Sequence, residues 1–91
     1  MTLQECIEEI IDDFSENDVF DSHTVINSIY AKEEYLVCYL NEYERGESIP
    51  AFHSKIAKMI GETAGVEKLE EKSKSLTVFG NNNINTMWRK K

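Results

Sequence analysis

Leu76-Thr77-Val78-Phe79-Gly80-Asn81-Asn82-Asn83-Ile84-Asn85-Thr86-Met87-Trp88 is the stretch that takes this chain out of the all-helical class. Two β-prone runs, 76–79 and 84–88, flank Gly80, Asn81, Asn82 and Asn83, and both glycine and asparagine tolerate positive φ. The pattern predicts a two-stranded hairpin with a four-residue loop. A second register places the first strand earlier, over 66–72, and turns 74–83 into a long loop. The sequence leaves both open.

Upstream of Gly65 the chain has helical period. Leu3, Cys6, Ile7, Ile10, Ile11 and Phe14 form one apolar stripe, and Thr2 with Glu5 fits a capping box. Glu8, Glu9, Asp12 and Asp13 occupy the opposite face, and the polar residues 15–18 end the helix. A second helical region runs over 22–45, capped by Asp21 or Ser22 and stopped by Gly46. Unbroken it would be about 36 Å long, and its phase falters at Ala31-Lys32-Glu33-Glu34. Two helices are therefore expected, near 22–31 and 32–45, with Val25, Ile26, Ile29, Leu36, Leu40 and Tyr43 facing the core. The last helix covers 50–64, opens on Pro50, and buries Phe52, Ile56, Met59, Ile60 and Thr63. The fold class is α+β and mainly α: three to four helices, then a C-terminal hairpin, in a single domain over 1–91. Ile7, Ile10, Ile11, Phe52, Ile56 and Ile60 are expected in one core.

Composition narrows the class further. The 91 residues carry a net charge of -7 and are 41 % hydrophobic, which suits one modest core and not a disordered tail. The longest apolar run, 35–40, is too short to span a bilayer, and Glu5, Glu8 and Glu9 interrupt any leader-like start. A cytoplasmic protein is the expectation. The charge is uneven. Residues 1–46 set twelve acids against Lys32 and Arg45, a net of -10, whereas 47–91 carry +3. Such asymmetry is a cue for a charged partner, although an acidic surface also serves solubility alone.

No constellation of catalytic residues is visible, so no enzyme is expected. His23 and His53 stand in no nucleophile or metalloprotease motif. Both fall in first helical turns, His23 as a surface group and His53 where a phosphate could meet the helix N-terminus; an ordinary surface histidine is the simpler reading of each. Cys6 and Cys38 lack the paired spacing of a zinc site and read as buried free thiols. No metal and no cofactor are expected. Tyr35, Tyr39 and Tyr43 recur every four residues and make an aromatic ridge, read either as core-edge packing or as a protein interface and homodimer surface. Trp88 is expected to anchor the hairpin to the helices, or else to stack on bases.

The order of helices followed by a two-stranded hairpin resembles the winged helix-turn-helix, over about residues 20–91. The resemblance implies that the helix before the hairpin enters the major groove and that the hairpin tip touches the backbone or minor groove. Carried over, the nucleic-acid contacts would be His53, Ser54, Lys55 and Lys58, the tip residues Asn81, Asn82 and Asn83, and Arg89 and Lys90 of the tail. Two departures are the weakly basic helix and an amide-rich tip with no cation. The chain also resembles small bacterial proteins of this make, a resemblance that implies no particular activity. The leading expectation is thus a non-enzymatic binding module for DNA or RNA. The alternative is a protein-interaction adaptor using the acidic first helix and the tyrosine ridge. Convergence of Lys55, Lys58, Arg89 and Lys90 on one surface would favour the first; their dispersal, or their pairing with Glu67, Glu70 and Glu71, would favour the second.

Overall fold

Thr2 starts the chain's first helix as the capping box requires. Its hydroxyl accepts from the Glu5 amide at 3.2 Å, and Glu5 Oε1 accepts from the Thr2 amide at 2.9 Å. The computed structural model describes residues 1–44, 46–76 and 82–91. Among them the order is α1 (Leu3–Asp12), β1 (Val19–Asp21), α2 (Ser22–Tyr30), α3 (Glu33–Glu42), α4 (Ile49–Glu62), β2 (Val66–Leu76) and β3 (Asn82–Lys90). The fold is α+β and mainly helical, with an antiparallel sheet of order β1-β3-β2.

The third strand corrects the two-stranded expectation. Asn17 adopts φ 74°, a left-handed conformation that asparagine accepts more readily than most residues. The Asp18 amide donates to Ser15 O at 3.0 Å, while the Asp18 carboxylate accepts from the Ser15 amide at 2.9 Å. This turn reverses the chain after α1 and lays residues 19–21 beside β3, pairing Val19 with Arg89, Phe20 with Trp88 and Asp21 with Met87. Asp21 then caps α2 by accepting from the Thr24 amide at 3.0 Å.

The region 22–45 divides in two, as expected, but α3 ends at Glu42, before Gly46. Ser48 caps α4 through the Ala51 amide at 3.2 Å, with Pro50 in the first turn where a missing N–H costs nothing. Gly65, at φ 87°, turns the chain from α4 into β2. β2 is longer than either proposed register and spans 66–76 as one strand. It pairs Val66 with Lys90 at one end and Leu76 with Asn82 at the other. A bulge sets Leu69, Glu70 and Glu71 against Met87 alone. Asn82 and Asn83 are therefore the start of β3, opposite Leu76 and Ser75, and not part of a hairpin tip. Residues 77–81, including Asn81 and the expected strand 77–79, lie outside the described residues.

One apolar cluster takes residues from all four helices, β1 and β3, and contains all six isoleucine and phenylalanine positions expected in it. Trp88 is buried and stacks on Phe20 with ring centroids 6.2 Å apart, and Phe20 in turn meets Phe14 at 4.8 Å. Trp88 therefore joins the sheet to the helices. Trp88→Ala is expected to lower unfolding free energy by about 3–5 kcal/mol, a large part of a small domain's total. Gly61 lies on exposed helix close by, where an added Cβ would sit at an ordinary 3.8 Å from Trp88 Nε1. Gly61→Ala should therefore raise stability by about 0.5–1 kcal/mol. Urea midpoints of the two variants against the parent check both signs.

Candidate functional site

The residues nominated for nucleic-acid contact begin on α4. Phe52, Ile56 and Ile60 are its buried stripe, which puts Ser54, Lys55 and Lys58 on the exposed side. Ser54 turns its hydroxyl back to Pro50 O at 3.0 Å. Lys55 Nζ lies 2.7 Å from Glu47 Oε1 and 3.8 Å from Glu44 Oε2. The Glu47 carboxylate holds the Lys55 pKa above its ordinary value, and Lys55 holds that of Glu47 below its own. Lys58 is exposed and makes no ion pair among the described residues.

Arg89 and Lys90 near the chain's end are also engaged, while Lys91 is exposed and makes no ion pair among the described residues. Arg89 Nη1 faces Glu67 Oε2 across the β2–β3 ladder at 3.9 Å. Lys90 Nζ donates to Ile11 O at 3.1 Å and lies 3.5 Å from Asp12 Oδ1. α1 has no basic residue in its own last turn. Lys90 supplies that charge from 79 positions away, where a cation meets the negative end of the helix dipole. The tail thus reaches toward the acidic helix.

His53 is half-buried, not presented to solvent as a helix-terminal anion site would be. It stands in the second turn of α4, one residue after Phe52 and three before Ile56, so its ring borders the core. Its Nε2 is 2.8 Å from Tyr39 Oη, and Tyr39 Oη is 2.8 Å from Tyr30 Oη. Burial, and then the nearby His23 charge, push the His53 pKa below its usual value. His23 is buried as well, contrary to the surface position expected, because it precedes Ile26 by three residues and shares its helical face.

The tyrosine ridge also departs from its expected place at the edge of the core. Tyr35 and Tyr39 are buried, at 6 % and 5 % exposure, and Tyr43 is half-buried. Tyr39 packs edge-on against Tyr30 and Phe52 with centroids at 5.2 and 4.9 Å, and Tyr43 meets Phe52 at 5.2 Å while its hydroxyl donates to Glu47 O. Burial and the Tyr30 hydroxyl raise the Tyr39 pKa well above the phenol range. The ridge is a seam between α2, α3 and α4, so it offers little surface to a second copy. Tyr30 is the member of this network that the sequence did not indicate. It lies nine residues from Tyr39 across a helix break, and no local periodicity links them.

Because Tyr35, Cys38 and Tyr39 turn inward, Leu40 turns out. It is 61 % exposed and Val37 50 % exposed, which corrects the expected core role of Leu40; Leu36 is partly buried against the cluster. Cys6 and Cys38 are buried free thiols. Cys38 Sγ donates to Met1 O at 3.2 Å. Burial, with the Cys38 thiol as second cause, pushes Cys6 up to about 12.

Among the described residues no helix is long and apolar enough to cross a membrane. No family model, curated protein or solved structure matches this chain.

Two measurements follow from these environments. A histidine whose folded pKa is depressed stabilises the fold fully above its unfolded value, near 6.5, and the contribution is lost as pH falls through the folded one. Denaturation midpoints should therefore drop between pH 7.5 and 5.5, and His53→Gln should flatten part of that drop. With a maleimide at neutral pH, Cys6 should stay unlabelled in the native protein and react only when urea unfolds it, because little thiolate forms.

Proposed function

We propose that this chain is a non-enzymatic protein-interaction module that offers its acidic helical surface to a basic partner. The observation that carries this reading is that three of the four candidate nucleic-acid cations are paired with carboxylates, Lys58 alone of the four being unpaired among the described residues. Lys55 is held by Glu47, Arg89 faces Glu67, and Lys90 is drawn onto the end of α1. Surface pairs of this kind are individually weak, about 0–1 kcal/mol each, so they do not lock the side chains. Their effect is on the field. A cation beside a carboxylate contributes little net potential beyond a Debye length of roughly 8–10 Å. Glu5, Glu8, Glu9 and Asp13 on and next to α1 are exposed, and no basic side chain is paired with them among the described residues. A phosphate backbone approaching this molecule meets repulsion; a basic protein segment meets attraction.

The second reading is nucleic-acid binding in the winged-helix manner, as the order of elements suggests. Its support is that Ser54, Lys55 and Lys58 share the outer side of α4 and that the β2–β3 pair follows directly. On this reading α4 would approach the groove, Lys58 would contact phosphate at once, and Lys55 would exchange Glu47 for phosphate.

A titration of the full chain at low salt separates the two. Oligolysine should bind, with affinity falling as salt rises, while duplex and single-stranded DNA and RNA should show no binding at high micromolar concentration. Binding of any nucleic acid that loses up to about two units of log–log salt slope in Lys55→Gln/Lys58→Gln, roughly 0.9 for each phosphate contact, would reverse this assignment.

A further inference from the structure

The outer face of α3 carries Glu33, Leu36, Val37 and Leu40 at steps of three and four, so the four side chains are neighbours on one side of the helix. Single exposed aliphatic residues are common and need no explanation. Here Val37 and Leu40 adjoin each other, both at least half exposed, and Leu36 extends them toward the core. The strip lies in the half of the chain that sets twelve acids against two cations. Glu33, Glu34 and Glu42 are exposed along the same helix. Lys32, the cation at its start, is already held, 3.9 Å from Glu34 and 4.6 Å from the Tyr35 ring centroid.

These features choose between occupants. A second copy would bring Glu33 and its acidic neighbours against their own counterparts, on two molecules of net charge -7 each. Like charges facing each other across an interface disfavour it. A segment with apolar residues at helical spacing and flanking lysines or arginines fits both features at once, with its apolar side on Val37 and Leu40 and its cations toward the glutamates. We infer that the exposed face of α3 is a docking seat for a basic amphipathic helix of a partner protein. This rests on the protein-interaction reading above and narrows it to one surface and one class of partner.

The test uses three synthetic 18-residue peptides with the full-length chain. One has leucines on one helical face and lysines elsewhere, one replaces the leucines by glutamines, and one replaces the lysines by glutamates. The leucine–lysine peptide should bind about tenfold more tightly than the glutamine–lysine peptide, a difference of about 1.4 kcal/mol, and the leucine–glutamate peptide should not bind. Val37→Ser/Leu40→Ser should erase the tenfold difference while leaving glutamine–lysine binding intact. Both positions are exposed, so circular dichroism and the urea midpoint should match the parent. Equal tenfold preference in the double variant would overturn the α3 seat and leave the protein-interaction reading standing. Absence of binding to either lysine peptide would overturn that reading and the seat with it. A concentration-dependent dimer in sedimentation, dissolved by the double variant, would assign the strip to a second copy instead.

Discussion

β3 is the strand with neighbours on both sides, and its residues 87–89 are laid against β1 by one ladder while 88–90 are laid against β2 by the other. Trp88, in the middle of that short stretch, points into the helical core and stacks on Phe20. Lys90, at its end, reaches the last carbonyls of α1. The backbone closes the same knot: the Lys90 amide donates to Asp18 O and the Asn17 amide to Lys90 O, each at 2.8 Å. Removing any one of these contacts leaves the others, but all depend on β3 keeping its register. The register in turn decides which residues of the chain's end remain available. Alternation along the strand sends Trp88 inward, so Arg89 lies on the opposite face of the sheet beside Glu67. Of the basic tail in the sequence, the fold makes one ion pair and one helix clamp and leaves Lys91 exposed.

A second constraint sets the orientation of α3. A phenol buried as deeply as Tyr39 costs free energy unless its hydroxyl is bonded. Tyr30 and His53 provide those partners from α2 and α4. That arrangement fixes which side of α3 faces the core, and the rest of the apolar run 35–40 takes what remains. Cys38 lies inside, Leu36 is half covered, and Val37 and Leu40 face outward. Fully burying a leucine or valine is worth roughly 1.5–3 kcal/mol, so leaving two of them exposed forgoes stability that a partner surface can recover. Bond formation in the interior and apolar exposure at the surface are two sides of one rotation.

How much of this was legible in the sequence follows from how local each signal is. The α1 stripe, the Thr2–Glu5 box and the Phe52–Ile56–Ile60 spacing involve residues within a few positions of each other, and the structure follows them. The break near Ala31 was legible from a faltering period. The inward side of α3 was not, because six consecutive apolar residues have no polar position to mark a solvent face. His23 was misplaced for a related reason: its position in the first turn suggested solvent, whereas its phase with Ile26 decided burial. β1 has three residues and pairs with a strand almost seventy positions later, so nothing nearby announces it beyond Asn17. β2 covers the earlier of the two placements left open for the first strand and runs on to Leu76, with a bulge between Lys68 and Lys72. Among the site residues, the exposed side of α4 was readable from its buried stripe. Of the carboxylates that meet Lys55, Arg89 and Lys90, Glu67 was an expected partner, whereas Glu47 and Asp12 were not legible, since each comes from another element or loop.

Those carboxylates also change what the charge asymmetry means. In sequence, -10 and +3 divide the chain into two halves that would make two faces if kept apart. In the fold the halves meet. Lys90 crosses onto Asp12 of α1, and Lys55 lies 3.8 Å from Glu44 as well as beside Glu47 of its own half. The mixing is unequal, because the acidic half has more charges than the other half can match. Glu5, Glu8, Glu9 and Asp13 on and next to α1, and Glu33 and Glu42 on α3, are exposed and make no ion pair among the described residues. On the proposed reading, selective attraction of a basic partner needs no dedicated acidic motif: it would be the residue of an incomplete neutralisation, beside the helix face that packing left apolar.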